Sequence, residues 1–101
     1  MPERILEILA EAAADAREAE LWYQEHSAQA GANFVVQLKK GIKKVVEAPL
    51  RWPKHKYGTR RYRLDKFPYL IVYRVHSDRI RVMAFQHSRR RESFWRRRGT
   101  E

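Results

Sequence analysis

The sequence predicts an α+β domain in which a helical hairpin packs on a three- to four-stranded antiparallel sheet. Three observations carry this. Two segments before Pro49 repeat apolar residues at helical spacing. Three runs after Thr59 alternate at strand spacing and are rich in aromatic and β-branched residues. The last two of these runs are joined only by the polar His76-Ser77-Asp78, which makes them an antiparallel hairpin.

The N-terminal segment admits two readings. Pro2 to Ser27 has no internal breaker, and Ile5, Leu9, Ala12, Ala16, Ala19 and Tyr23 recur at steps of three and four, so one long helix fits. Residues 4–9 equally fit a short strand, with a helix beginning near Glu11. His26 to Gly31 is the first break. A second amphipathic helix is expected from Ala32 to Glu47, with Phe34, Leu38, Ile42 and Val45 on one stripe. Lys39, Lys40, Lys43 and Lys44 fall outside that stripe, so its exposed side is basic. Gly41 suggests a close approach, because glycine inside a helix costs about 1 kcal/mol relative to alanine. Pro49 stops the helix and disfavours helical geometry at Ala48.

Leu50 to Thr59 reads as a loop. From Thr59 to Asp65, Tyr62 and Leu64 face one way and Arg61 and Arg63 the other. Phe67-Pro68 turns into the hairpin of Tyr69–Val75 and Arg79–Phe85. Alternation puts Ile80, Val82 and Ala84 on one face of its second strand, with Arg81, Met83, Phe85 and His87 on the other. Residues 89–101 form a basic tail, in which Trp95 is expected to pack on the sheet or a helix edge.

The net charge of +10 is unevenly placed. Residues 1–27 carry two basic and seven acidic side chains, whereas residues 28–101 carry twenty basic and five acidic. Such asymmetry attracts a polyanion or an acidic protein. No run approaches the roughly 18–20 apolar residues of a membrane span, and the acidic N-terminus does not read as a signal peptide. The absence of cysteine removes disulfides and thiolate metal sites and fits a cytoplasmic location. The histidines at 26, 55, 76 and 87 are scattered without ligand spacing, so no metal site is expected, and no glycine-rich phosphate loop suggests a cofactor. His76-Ser77 and His87-Ser88 lack an acidic partner, which argues against a hydrolase triad.

An ordered set of residues spanning nearly the whole chain resembles the RelE/ParE family of bacterial type II toxin–antitoxin toxins. Ala12, Asp15, Ala16, Ala19 and Tyr23 match its first helix, and Phe34, Leu38, Ile42, Val45 and Pro49 its second. Arg61, Arg63, Leu64, Phe67, Pro68, Tyr69, Ile71 and Tyr73 match the central strands. Ile80, Val82, His87, Arg89, Trp95 and Arg98 match the last strand and tail. The resemblance implies a single toxin domain over residues 1–101, held inactive in a heteromeric complex with an acidic antitoxin.

The family holds two activities. RelE-like members cut mRNA on the ribosome, which requires groups that orient the 2′-hydroxyl, stabilise the crowded anion and protonate the leaving oxygen. On that pattern Arg61 and Arg63 fall at two catalytic lysines, and Arg89 at a phosphate-binding arginine. Leu70, however, replaces the middle-strand arginine, and Trp95 replaces the late tyrosine. His87 is the one group that could supply the missing proton transfer. ParE-like members lack these residues and inhibit DNA gyrase by protein contact, and Leu70 and Trp95 lean this way. The resemblance and the charge together give Arg61, Arg63, Arg81, Arg89, Arg90, Arg91, Trp95 and Arg98 as the expected binding set. A third reading is a nucleic-acid-binding module acting by phosphate neutralisation alone.

Overall fold

The protein is described by a computed structural model covering residues 3–91 and 94–99. The proposed helix start at Pro2 and residues 92, 93, 100 and 101 of the basic tail lie outside the described residues. The chain runs β1 (Ile5–Ile8), α1 (Ala10–His26), α2 (Ala28–Glu47), a short 3-10 turn (Lys56–Gly58), β2 (Arg60–Arg63), β3 (Tyr69–Val75) and β4 (Arg79–His87). The sheet order is β1-β4-β3-β2. The strand reading of the N-terminus is therefore correct, and the single long helix is not. β-Branched Ile5 and Ile8 find a ladder beside β4, and that pairing outweighs the helix preference of the segment.

The β2–β3 and β3–β4 pairs are antiparallel, but β1 runs parallel to β4. The parallel pairing follows from the connection: α1 and α2 carry the chain away before it returns as β2. The helices pack on one face of the sheet. Ala12 and Ala19 of α1 and Phe34 and Val45 of α2 share a core with Leu64, Ile71, Tyr73, Ile80, Val82 and Phe85. Small alanines let α1 approach the sheet closely, while Tyr23, Phe34, Phe67 and Tyr69 close one end as a ring cluster.

The break between the helices is shorter than the composition suggests. It is the single residue Ser27, whose hydroxyl accepts from the Ala30 N–H at 3.0 Å as an N-cap. Gly31 lies inside α2, and a Cβ there would come within 3.0 Å of the Gln24 Cβ, so this glycine allows the helices to touch. Gly41 allows the same against the sheet, where a Cβ would sit 2.7 Å from Leu64 Cδ2 and 2.9 Å from Ile71 Cδ1.

A β-bulge in β4 changes which residues face the helices. Tyr73 pairs with Val82, but the preceding Val72 pairs with Ala84, which leaves Met83 as an extra residue. Before the bulge, Ile80 and Val82 face the helices and Arg81 faces outward. After it, Phe85 and His87 face the helices, while Ala84 joins Met83, Val72 and Trp95 in a second apolar cluster. The expectation that Arg81, Met83, Phe85 and His87 share a face, opposite Ile80, Val82 and Ala84, is corrected by this one inserted residue.

Candidate functional site

Two surfaces stand out: the outer face of the sheet, and a groove on the helical side. On the outer face, β2 presents Arg61 and Arg63, both exposed, because Tyr62 and Leu64 are drawn inward. The Arg61 guanidinium lies 3.2 Å from His55 Nδ1. Beside them, Arg74 of β3 donates to the Tyr57 carbonyl at 2.9 Å, and so holds the loop that follows α2.

The basic tail folds back across this face. Trp95 is fully buried over Val72, Met83 and Ala84, and its indole N–H donates to Gln86 Oε1 at 2.8 Å. The other end of the Gln86 amide donates to the Arg90 carbonyl, so one buried side chain fixes the tail twice. Arg98 reaches past the end of β1 to grip both oxygens of Asp15 on α1, at 2.5 and 3.1 Å, and also donates to the Met83 carbonyl at 3.2 Å. Asp15 in turn accepts from the Phe85 N–H at 3.2 Å. Together the pair occupies the stretch of β4 edge that β1 is too short to cover. Arg81 donates to Glu7 at 2.6 Å and to the Gly99 carbonyl at 3.2 Å, and this hydrogen bond from Arg81 holds the Glu7 carboxyl below its ordinary pKa.

On the helical side, α1, α2 and β1 enclose an apolar groove of about 340 Å³. Its floor includes Ile8, Ala16, Val35, Leu38 and Ile42, with Arg17 and Lys39 among the rim residues. The outer edge of β1 is adjacent and unpaired among the described residues, and Ile5, Leu6 and Ile8 are all exposed.

The expected site residues are distributed unevenly between these surfaces. Arg61 and Arg63 share the outer face, but His87 lies on the helix side of the sheet. There its ring meets Tyr69 at 5.2 Å, and it lines a small cleft of about 110 Å³ with Asp15, Glu18, Trp22 and Arg90. Burial, first, and then the neighbouring Tyr23 and Glu18 push the Tyr69 hydroxyl above its ordinary pKa. The sheet thus separates His87 from Arg61 and Arg63. Arg89 is exposed, and its backbone N–H donates to His87 Nδ1 at 3.1 Å. Arg90 and Arg91 are exposed too, with the Arg90 guanidinium 3.7 Å over the Phe94 ring. Arg81, Trp95 and Arg98 are committed to contacts within the chain. Leu70 packs against the same apolar cluster as Trp95. Among the described residues, no group of three or more His, Asp or Glu side chains is placed to hold a metal ion.

Asp15, Glu7, Gln86 and the groove residue Val35 were not among the expected site residues. Gln86 carried one usable signal, as a lone amide directly after the apolar run Val82-Met83-Ala84-Phe85. Nothing local pairs Asp15 with an arginine 83 residues away.

The family model described as "ParE toxin of type II toxin-antitoxin system, parDE" matches residues 6–92. The chain belongs to the ParE toxin family. The match takes in both helices, β2 to β4 and all of β1 but its first residue. A solved chain of the chromosomal ParDE TA system from P. aeruginosa has the same fold, with a TM-score of 0.75 and 18% identity over 84% of this chain and 96% of that one. No curated protein matches the sequence. Membership in the ParE family accounts for the α+β fold with its N-terminal strand. No helix among the described residues is long and apolar enough to cross a membrane.

Proposed function

We propose that this ParE-family chain arrests growth by binding DNA gyrase as a protein ligand, and that an acidic antitoxin neutralises it. The observation that carries this reading is the fate of two positions. Where a RelE-like nuclease places an arginine and a tyrosine, this chain has Leu70 and Trp95, and both pack into one apolar cluster on the outer face. Neither the alkyl side chain of Leu70 nor the buried indole of Trp95 can pass a proton to a scissile phosphate. The placement of His87 across the sheet from Arg61 and Arg63 weighs the same way.

Under this reading Arg61, Arg63, Arg89 and Arg91 form the target-facing surface, and Arg90 marks its edge, where it lines the helix-side cleft with His87. Arg81, Trp95 and Arg98 shape it from below by holding the tail in place. The antitoxin occupies the groove between α1 and α2, where an apolar helix face suits Leu38 and Ile42, and an extended segment adds to the open β1 edge. Its acidic side chains match the chain's net charge of +10.

The test is induced expression in a bacterium, with growth, plasmid supercoiling and mRNA integrity followed together. Growth arrest with inhibited supercoiling and intact mRNA is the expected outcome. Codon-positioned mRNA cuts would overturn the gyrase reading in favour of ribosome-dependent cleavage, and indifferent growth would overturn both.

A further inference from the structure

A second cationic surface lies on the opposite side of the molecule from the tail. Lys39, Lys40, Lys43 and Lys44 are all exposed on α2, on the side facing away from buried Phe34, Gly41 and Val45. They are four of the seven lysines in the chain. Among the described residues none of the four side chains makes a hydrogen bond or ion pair, whereas the outer-face arginines hold carbonyls and carboxylates.

Their spacing opposes helix stability. Lys39–Lys43 and Lys40–Lys44 are like-charge pairs four residues apart, about 6 Å from each other, and each such pair weakens the helix. A helix face built only for solubility would intersperse glutamates, yet Glu47, at the C-terminal end, is the only acid in α2. Glu47 and Asp65 lie beside Lys40, Lys43 and Lys44 but pair with none of them, so the fold keeps a concentrated charge that it does not use for its own contacts.

The chemistry of the patch points to one kind of partner. Lysine is a compact, strongly hydrated charge that suits phosphate oxygens without demanding a fixed geometry, while carboxylates of an acidic protein are better gripped by arginine forks. The only aromatic residue of α2, Phe34, is fully buried, and the two rings that border the patch, Trp52 and Tyr62, are half-buried against the core and against each other at 4.6 Å, which leaves them poorly placed to stack on an unpaired base. We infer that the lysine face of α2 binds the phosphate backbone of double-stranded DNA without reading its sequence. This inference is independent of the gyrase reading, because it concerns a different surface and requires no protein target.

Four phosphate contacts predict a log–log salt dependence with a slope of about −3.6, which is roughly a 150-fold loss of affinity between 50 and 200 mM salt. The experiment is fluorescence anisotropy of the full chain with a labelled 20-base-pair duplex across that salt range. The variant carries Lys39→Gln, Lys40→Gln, Lys43→Gln and Lys44→Gln together. Glutamine has nearly the helix propensity of lysine, so α2 should persist, and far-ultraviolet circular dichroism checks this. The expected result is a slope shallower by about 3.6 than that of the wild-type chain. Lys54→Gln with Lys66→Gln, removing two exposed loop charges, should leave the slope near the wild-type value. An unchanged slope in the fourfold variant, or no duplex binding by the wild-type chain at low salt, overturns the inference. So does equal affinity for a single strand, or binding of polyglutamate that needs the four lysines when duplex binding does not.

Discussion

The arginines of the outer sheet face and the lysines of α2 carry the same charge, but the fold uses them in opposite ways. Arg74 donates to the Tyr57 carbonyl at 2.9 Å, Arg81 to Glu7 and Gly99, and Arg98 to Asp15 and Met83. Each joins a loop or the tail to the sheet. The lysines join nothing among the described residues. The difference follows from the groups themselves: a guanidinium offers a rigid fork of five donors, able to satisfy several acceptors at once, while an ammonium remains well hydrated alone. A net charge of +10 thus divides into a part that holds the structure and a part available to a partner.

The largest expected effect comes from removing the apolar centre on which the arginine side depends. Trp95 is fully buried although it lies in the most arginine-rich segment of the chain. Trp95→Ala should cost about 3–5 kcal/mol in urea denaturation, through lost burial, a cavity over Val72 and Met83, and an orphaned Gln86 amide. A loss below about 1 kcal/mol would mean that the tail is not part of the core, and the comparison would fail at its root.

A smaller effect separates the two charge types directly. The Asp15 and Arg98 side chains are only 12% and 15% exposed, so breaking their pair leaves a poorly solvated charge. A double-mutant cycle of Asp15→Asn with Arg98→Gln should return a coupling of about 2–3 kcal/mol, in the range of charged hydrogen bonds. Lys43→Gln, on the exposed face of α2, should stay within about 0.5 kcal/mol of wild type. Equal effects at both sites would erase the distinction.

Much of the fold was legible because it rests on local patterns. Phe34, Leu38, Ile42 and Val45 mark α2, and the run from Tyr69 to Phe85 marks the hairpin with its turn at His76 to Asp78. What was not legible depends on distant partners. β1 is a strand because β4 lies beside it, and its parallel direction is a property of the whole connection. The bulge at Met83 leaves no mark in an apolar run, yet it decides that His87 faces α1 rather than Arg61 and Arg63. Composition showed an arginine-rich C-terminal region but could not divide it into Arg81 of β4 and Arg98 of the tail, which bind the chain to itself, and Arg89, Arg90 and Arg91, which remain exposed.

The smallest expected effect uses pH to release one arginine while leaving every lysine charged. Glu7 accepts from Arg81 at 2.6 Å and lies 3.6 Å from Arg79, and these contacts, with the Arg81 hydrogen bond foremost, lower its pKa in the folded chain from 4.5. A carboxyl whose folded pKa is depressed contributes stability above its unfolded value. That contribution is lost as pH falls through the folded value, because the unfolded chain then takes up the proton more readily. The window therefore opens near pH 4.5 and extends below it. Glu7→Gln should flatten the acid limb of a stability–pH profile there and leave the neutral plateau only slightly lowered, since the carboxylate is partly solvated. The fourfold lysine variant should keep the wild-type acid limb, because ammonium groups do not titrate in that range. If Glu7→Gln loses stability with acid as steeply as the wild type, the Arg81 contact does not couple the tail to β1, and Arg81 would join the lysines as a charge the fold leaves free.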